Sequence, residues 1–272
     1  MGKFDGILIC TDLDGTLLKN DKTISDENKK AIEYFKSEGG YFTFVTGRMP
    51  FFVSYALENI KPNAPFGCVN GGGLFDADKG EYAWVQEMPR AVLELVRHAD
   101  ENFDDLGIQV NTLYRTYFCR ENKVMEVFRQ LTKLENLVCH YDDVKEPIGK
   151  IVFGIESSEI KKLEETLKSH PKANEFDFIR SEKYLYEILP KGVGKGTAIK
   201  KLCEHLGIDI KKSVAVGDYN NDISMFEAAG VGIAVSNACK EALDAADIVT
   251  VSNEEHAIAK IIHDIEEEKI KL

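Results

Sequence analysis

The sequence predicts an α/β protein: a parallel sheet with helices on both faces, interrupted by an inserted α+β module. Near both ends of the 272-residue chain, short apolar strand segments alternate with helical segments, which is the pattern of parallel strands joined by right-handed crossovers. In the middle of the chain this alternation is lost. Because 272 residues exceed the usual size of one domain, we expect a second domain inserted into the first.

The first strand segment ends in two carboxylates. Residues 7–18 form an apolar run that contains Asp12 and Asp14. These side chains point to the same side of an extended chain, and Gly15 permits a sharp turn after them. The arrangement can hold a divalent cation and leave one carboxylate oxygen free to react. Taken alone, it is also typical of an ordinary turn.

The following segments continue the alternation. Ser25 is a suitable N-cap for the first helix. A strand of β-branched and aromatic residues at 41–45 then leads into a polar turn that begins at Thr46, and a helix at 51–59 precedes a short strand at 66–69. We expect these strands to join the first one in a parallel sheet.

The order of elements changes from about residue 81. We expect a catalytic core at residues 1–82 and 190–272, and an inserted cap domain at residues 83–189. The expected cap strands are 107–110, 114–119, 151–155, 176–180 and 184–189, and the expected cap helices are 89–103, 123–131 and 159–170.

The alternation resumes after Pro190. A helix at 194–206 carries Lys195 at its start, and an apolar strand at 213–217 runs directly into Asp218. The remaining expected elements are strands at 231–235 and 248–251, a helix at 240–245 and a C-terminal helix.

Composition excludes several classes of function. The 34 basic and 46 acidic side chains give a formal net charge of -12, which argues against a nucleic-acid or anionic-membrane surface. Six cysteines are scattered without a C-x-x-C pair, so neither a zinc site nor a disulfide framework is indicated. We expect buried thiols in the reducing cytoplasm, since the N-terminus also shows no signal peptide.

Polar groups follow the strands at one edge of the expected sheet. In an open Rossmann-like sheet, ligands bind outside the carboxyl ends of the strands. Asp12 and Asp14, Thr46, and Asp218 with Asp222 all come at such ends. We therefore expect these side chains to converge, together with Lys195 at the start of its helix.

At these positions the chain resembles the haloacid dehalogenase-like phosphatase superfamily, whose four motifs it matches in order. The matching residues are Asp12-Leu13-Asp14-Gly15-Thr16, the strand-terminal Thr46, Lys195 within residues 191–196, and Gly217-Asp218-Tyr219-Asn220-Asn221-Asp222. The Thr46-Gly47-Arg48 segment and the long insertion between the second and third motifs look like the Cof-type subgroup with a large α/β cap, type IIB. The resemblance extends over the whole chain.

The resemblance implies a Mg²⁺-dependent phosphomonoester hydrolase for a small, sugar phosphate-like metabolite. It implies that Asp12 is the nucleophile that forms an aspartyl-phosphate and that Asp14 transfers protons. The implied metal ligands are Asp12, Asp14 through its backbone carbonyl, Asp218 and Asp222, and the implied phosphate or substrate ligands are Leu13, Thr46, Gly47, Arg48, Lys195 and Asn221.

Several alternatives stay open at this point. A phosphomutase or phosphotransferase would use the same residues, and a receiver-type phosphoryl-binding module would share the acidic group, although receivers lack such an insertion. Arg48 could form a structural salt bridge, Asp222 could cap a helix or position Lys195, and Asn70 could line the site or form a hinge to the cap. The sequence does not distinguish a monomer from a homodimer. It also does not show which cap residues contact the substrate; the candidates are Asn111, Tyr114, Arg115, Lys150 and Lys183.

Overall fold

The computed structural model describes residues 2–132 and 134–272. The chain forms two compact units. One comprises the chain up to Val85 together with Gly194–Leu272, and the other comprises Gln86–Val193. The α/β fold class predicted from the sequence is confirmed, since a parallel sheet lies in the first unit and an antiparallel sheet in the second.

The elements are numbered in chain order. The strands are β1 (Leu8–Thr11), β2 (Tyr41–Phe44), β3 (Phe66–Cys68), β4 (Gly73–Asp76), β5 (Glu81–Val85), β6 (Gly107–Thr112), β7 (Thr116–Arg120), β8 (Ile148–Gly154), β9 (Phe176–Glu182), β10 (Leu185–Pro190), β11 (Ser213–Gly217), β12 (Val231–Ala234) and β13 (Ile248–Val249). The α-helices are α1 (Asp26–Ser37), α2 (Ser54–Asn59), α3 (Val92–Asn102), α4 (Lys123–Thr132), α5 (Ile160–Ser169), α6 (Lys195–Leu206), α7 (Ile223–Ala228), α8 (Lys240–Ala245) and α9 (Ala257–Glu266).

The first unit is built on a parallel sheet of order β13-β12-β11-β1-β2. Strand β1 lies between β11 and β2 and is fully buried, with Leu8 opposite Ser213 on one side and Tyr41 on the other. One core cluster joins Ile9 and the two phenylalanines of β2 to α1 and α9. A second cluster joins Leu8 and Cys10 to α6 and α7. Helices on both faces explain why the strands are continuously apolar rather than alternating.

The expectation that residues 66–69 extend the parallel sheet is confirmed only in part. Strand β3 pairs antiparallel with β4, which pairs in turn with β5. Its link to the parallel strands is a single parallel bridge between Val45 and Gly67. The antiparallel pairing of β3 with β4 follows from the turn at residues 69–71, where three successive residues have positive φ angles, so the chain reverses immediately after β3.

The second unit is an α+β module. Its antiparallel sheet has the order β7-β6-β8-β10-β9. Helices α3 and α5 pack on one face, where Val92, Leu95, Leu163 and Leu167 join apolar side chains of the inner strands in one core cluster. Among the described residues, no helix combines the length and the apolar character that a membrane crossing requires.

Helices α1 and α9 of the first unit are joined by a partly buried side-chain hydrogen bond. Ser25 caps α1, because its side chain accepts a hydrogen bond from the Asn28 backbone amide at 3.2 Å. The fully buried Asn28 side chain in turn accepts from the Ala259 amide at 3.0 Å, through its Oδ1 atom. This amide lies in the first turn of α9, where helix N–H groups have no partner within the helix.

We predict that Asn28→Ala lowers the free energy of unfolding by about 1–3 kcal/mol, because it removes the acceptor of the partly buried Ala259 amide. Urea denaturation of the full-length protein measures this change. Asn59→Ala is the matched control, since the Asn59 side chain donates an exposed hydrogen bond to the Tyr55 carbonyl one turn back on the surface of α2, and it should change stability by less than about 0.5 kcal/mol. Equal effects of the two substitutions would contradict the assignment.

Candidate active site

The Asp12 carboxylate stands at the carboxyl end of β1. Its backbone amide donates to the Val216 carbonyl at 2.8 Å, which continues the β1–β11 ladder by one residue. Asp12 is 6% exposed, and the neighbouring Leu13 side chain is buried in the core. The strand therefore fixes Asp12 with its carboxylate at the sheet edge.

The turn after Asp12 brings the first motif against Asp218. Gly15 has a φ angle of +83°, and a Cβ atom there would lie 2.6 Å from Oδ2 of Asp218. Both observations explain why this position is glycine. Thr16 donates its hydroxyl hydrogen to Oδ1 of Asp218 at 2.8 Å. The sequence reasoning did not assign Thr16 a role, although its place beside Gly15 in the first motif was a usable signal.

Lys195 connects two of the carboxylates. Its Nζ atom lies 2.6 Å from Oδ1 of Asp12 and 2.5 Å from Oδ1 of Asp222. Lys195 is 2% exposed, although it is the first residue of α6. The start of α6 packs closely against α7, since a Cβ atom on Gly196 would lie only 2.1 Å from the Ser224 carbonyl oxygen in α7. This close approach helps to bury Lys195.

Asp222 also organises the loop that follows β11. Its Oδ2 atom accepts hydrogen bonds from the backbone amides of Asp218 at 2.8 Å and Tyr219 at 2.9 Å. The side chain is fully buried. Asp222 thus both caps the short turn and holds Lys195, the two roles that the sequence left open for it.

Asp12, Asp218 and Asp222 form the acidic cluster, in which one carboxylate oxygen from each residue lies within 4.8 Å of the others. A small hard cation such as Mg²⁺ is bound by carboxylate and carbonyl oxygens together with water. Three carboxylates against one ammonium leave a negative balance that a divalent cation would offset. The donor set therefore fits Mg²⁺. The Asp14 side chain lies outside this group.

Burial and mutual repulsion raise the pKa values of two of these acids. Burial is the largest cause for Asp12, whose pKa rises to about 8, with the Lys195 ammonium opposing the rise and the Asp222 and Asp218 charges adding to it. Burial and the Asp222 charge raise the pKa of Asp218 to about 6. For Lys195, burial acts to lower the pKa, but the Asp12 and Asp222 carboxylates outweigh it and the pKa is raised.

Asp14 is held by two cations. Its carboxylate accepts hydrogen bonds from Nε of Arg48 at 2.9 Å and Nη2 of Arg48 at 2.8 Å, and Lys22 Nζ lies 3.0 Å away. Burial raises the pKa of Asp14, but the Arg48 and Lys22 charges outweigh burial and lower it below its usual value. Of the two roles that the sequence allowed for Arg48, the structure thus shows the salt bridge. Lys22 was not predicted, because a left-handed residue (φ +66°) in a surface turn leaves no sequence signal.

The second motif closes another side of the site. Thr46 is 2% exposed, and its hydroxyl oxygen accepts a hydrogen bond from the Arg48 amide at 3.2 Å. A Cβ atom on Gly47 would lie 2.8 Å from Oδ1 of Asn70. The same Asn70 oxygen accepts from Nδ2 of Asn221 at 3.2 Å. Through Asn70, the structure brings the second and fourth motifs together.

The cap residues named from the sequence fall into two groups. Asn111 and Lys150 are buried in the second unit, where Lys150 forms an ion pair with Glu187 at 2.8 Å. Tyr114, Arg115 and Lys183 are exposed. Buried strand positions with polar side chains cannot be recognised from the sequence alone, since polar residues in strands normally face solvent.

Comparison with known proteins identifies the family. A family model described as haloacid dehalogenase-like hydrolase matches residues 9–262. Two similar proteins from Bacillus subtilis strain 168 are YwtE, 29% identical with 93% of this chain and 96% of that protein covered, and YcsE, 31% identical with 94% of both covered. Each is named a 5-amino-6-(5-phospho-D-ribitylamino)uracil phosphatase.

A solved structure shares the fold. The protein BT4131, described as a sugar phosphatase of haloacid dehalogenase subclass IIB, matches with a TM-score of 0.81 over 95% of this chain and 98% of that chain. At 21% identity, this likeness concerns the fold. The family model and the two relatives extend over both units, so the chain belongs to the haloacid dehalogenase-like hydrolases and, within them, to the phosphatases.

Proposed function

We propose that this enzyme is a Mg²⁺-dependent phosphomonoester hydrolase that works through an aspartyl-phosphate on Asp12. The observation that carries the proposal is the position of Asp12. Its carboxylate is fixed on one oxygen by buried Lys195 and belongs to the acidic cluster with Asp218 and Asp222. A carboxylate held in this way can present its second oxygen to a phosphorus atom.

Two steps return the enzyme to its starting state. In the first, an Asp12 oxygen bonds to phosphorus, the bond from phosphorus to the substrate oxygen breaks, and Asp14 gives that oxygen a proton. In the second, Asp14 takes a proton from water, the water oxygen attacks phosphorus, and the bond to Asp12 breaks to release inorganic phosphate.

The environment of Asp14 bears on these proton transfers. Arg48 and Lys22 stabilise the ionised carboxylate, which is the form that activates water in the second step. The first step needs the protonated form. We propose that Arg48 turns to the substrate phosphate in that step, so that Asp14 loses one of the two cations that keep it ionised.

Five further groups are proposed to hold the phosphoryl oxygens. They are the backbone amides of Leu13 and Gly47, the Thr46 hydroxyl, the Lys195 ammonium and the Asn221 carboxamide. Groups fixed in this manner stabilise charge as it develops in the transition state. When bound by Asp12, Asp218, Asp222 and the Asp14 carbonyl, Mg²⁺ would supply positive charge that draws a phosphoryl oxygen toward Asp12.

The relatives point to a class of substrate. Two carry names that specify a phosphate ester on a ribityl chain, and the structure that shares the fold is described as a sugar phosphatase. We propose that the substrates are small phosphomonoesters of sugars or sugar alcohols. We also propose that residues 83–189 form the cap domain that selects the leaving group, and that the enzyme is cytoplasmic, a location that the six free cysteines support.

We predict that the purified protein releases phosphate from sugar phosphates and from an aryl phosphate with Mg²⁺, and that chelation of the metal abolishes this release. Asp12→Asn should lower kcat at least about a thousandfold, because the amide cannot act as the nucleophile. With glycerol present as a competing acceptor, colorimetric measurement of both the released aryl alcohol and inorganic phosphate distinguishes hydrolysis from transfer, because transfer to glycerol releases the alcohol without phosphate. Lys161→Ala, on the surface of the second unit, is the control. Full activity of Asp12→Asn would contradict the proposal.

We predict that Mg²⁺ stabilises the protein more at pH 8 than at pH 5. Asp12 and Asp218 have pKa values of about 8 and 6 in the folded metal-free protein, above the value of about 4 in an unfolded chain. Between these values the folded state binds more protons, so their contribution to stability falls as pH rises. A cation requires the ionised forms, and its stabilising effect therefore grows with pH.

Thermal unfolding with saturating Mg²⁺ and with chelator, at both pH values, measures this difference. We expect Mg²⁺ to raise Tm by about 5 °C at pH 8 and by less than half of that at pH 5. In Asp218→Asn the difference between the two pH values should shrink. A larger Mg²⁺ effect at pH 5 would show that these carboxylates are not the ones that bind the cation.

A further inference from the structure

The turn that follows β3 has an unfavourable backbone conformation beside the candidate site. Val69, Asn70 and Gly71 have φ angles of +55°, +52° and +91°. Asparagine and glycine tolerate this left-handed region, but a β-branched valine strongly disfavours it. Such strain persists where the surroundings force it, and it is concentrated at functional sites.

The contacts that force the turn come from the proposed phosphate-binding segments. The Val69 amide donates to the Arg48 carbonyl at 2.9 Å, and the Asn70 amide donates to the Thr46 carbonyl at 3.1 Å. On the other side, a Cβ atom on Gly71 would lie 2.0 Å from the carbonyl oxygen of Gly194, the residue before Lys195. The turn is thus packed between the second motif and the start of α6.

The Asn70 side chain reaches the fourth motif from this position. Asn70 is 1% exposed, and its Oδ1 atom accepts a hydrogen bond from Nδ2 of Asn221 at 3.2 Å. The same oxygen occupies the space where a side chain at position 47 would begin. A hinge to the second unit would require flexible residues. It would not require the buried Asn70 carboxamide to form a hydrogen bond with Asn221 of the fourth motif. The contacts therefore favour a role within the site over a role as hinge.

We propose that Asn70 is a positioning residue: its carboxamide fixes the orientation of Asn221 beside Gly47, so that the Asn221 carboxamide is ready to receive a phosphoryl oxygen. This inference rests on the proposed function. The strained turn places the Asn70 side chain, from the end of β3, between the second and fourth motifs.

Asn70→Gly removes the side chain but preserves the backbone conformation, since glycine adopts the left-handed conformation without strain. The variant therefore tests the role of the carboxamide alone. We expect kcat for phosphate release to fall about tenfold, the loss expected when an oriented hydrogen bond to a site residue is removed, while Tm changes by only a few degrees. In an Asn221→Ala background, the same change should lower kcat by less than about twofold, because the group that Asn70 orients is gone.

The matched control is Glu268→Gly. Glu268 is also left-handed, with a φ angle of +54°, but it is exposed near the C-terminus, so this variant should keep wild-type kcat. Wild-type kcat in Asn70→Gly, or an equal tenfold loss with and without the Asn221 side chain, would overturn the proposal.

Two further measurements test the inference if Asn70→Gly does not fold or if the wild type shows no activity. If Asn70→Gly does not fold, Asn70→Asp keeps an acceptor oxygen and tolerates the left-handed conformation, and Asn221→Ala must then lower kcat as much as it does in the wild type. Solvent exchange of the Asn221 side-chain amide, followed by NMR without substrate, should be faster in Asn70→Gly. Because that readout needs no catalysis, unchanged exchange rejects the positioning role, whereas an inactive wild type with faster exchange in Asn70→Gly rejects only the proposed function.

Discussion

The buried ammonium of Lys195 is the interaction on which the site depends. It lies between Asp12 and Asp222, and all three side chains are almost completely removed from solvent. Without the lysine, two buried carboxylates would face each other without compensation, which is strongly unfavourable. With the lysine, the acidic cluster still carries more negative than positive charge. Lys195 therefore offsets part of the cost of burying the carboxylates, and the remaining negative charge favours binding of a divalent cation.

The parallel sheet makes this arrangement possible. Lys195 and Asp12 are 183 residues apart in the chain, yet adjacent parallel strands place Asp12 and the loop after β11 at the same edge. Glycines allow the segments to approach one another, with Gly15 against Asp218 and Gly196 against α7. In the order of the chain, the second unit lies between the two segments that form the first, and strands from both segments pair in one parallel sheet.

Much of the fold could be predicted from the sequence, because strand and helix periodicity in the core follows directly from burial on both faces. The placement of Asp12, Thr46 and Asp218 at one edge was predictable for a related reason, because each follows one of three neighbouring strands of the parallel sheet, whereas Lys195 was expected there from its place at the start of α6. The reversal after β3 was not predictable, since it depends on a strained turn that tertiary contacts impose. The contacts of Lys22 with Asp14 and of Asn70 with Asn221 likewise depend on loop conformations that no local pattern encodes.

The central claim is that Asp12 carries the phosphoryl group during turnover. It is tested most directly by mixing the Asp14→Asn variant with Mg²⁺ and an aryl phosphate, quenching in acid and analysing the peptides by mass spectrometry. Asparagine at position 14 cannot activate the water of the second step, so the intermediate should accumulate. The mechanism predicts one phosphoryl group on Asp12. Release of the phenol product with an unmodified Asp12, or a phosphoryl group on another residue, would contradict it.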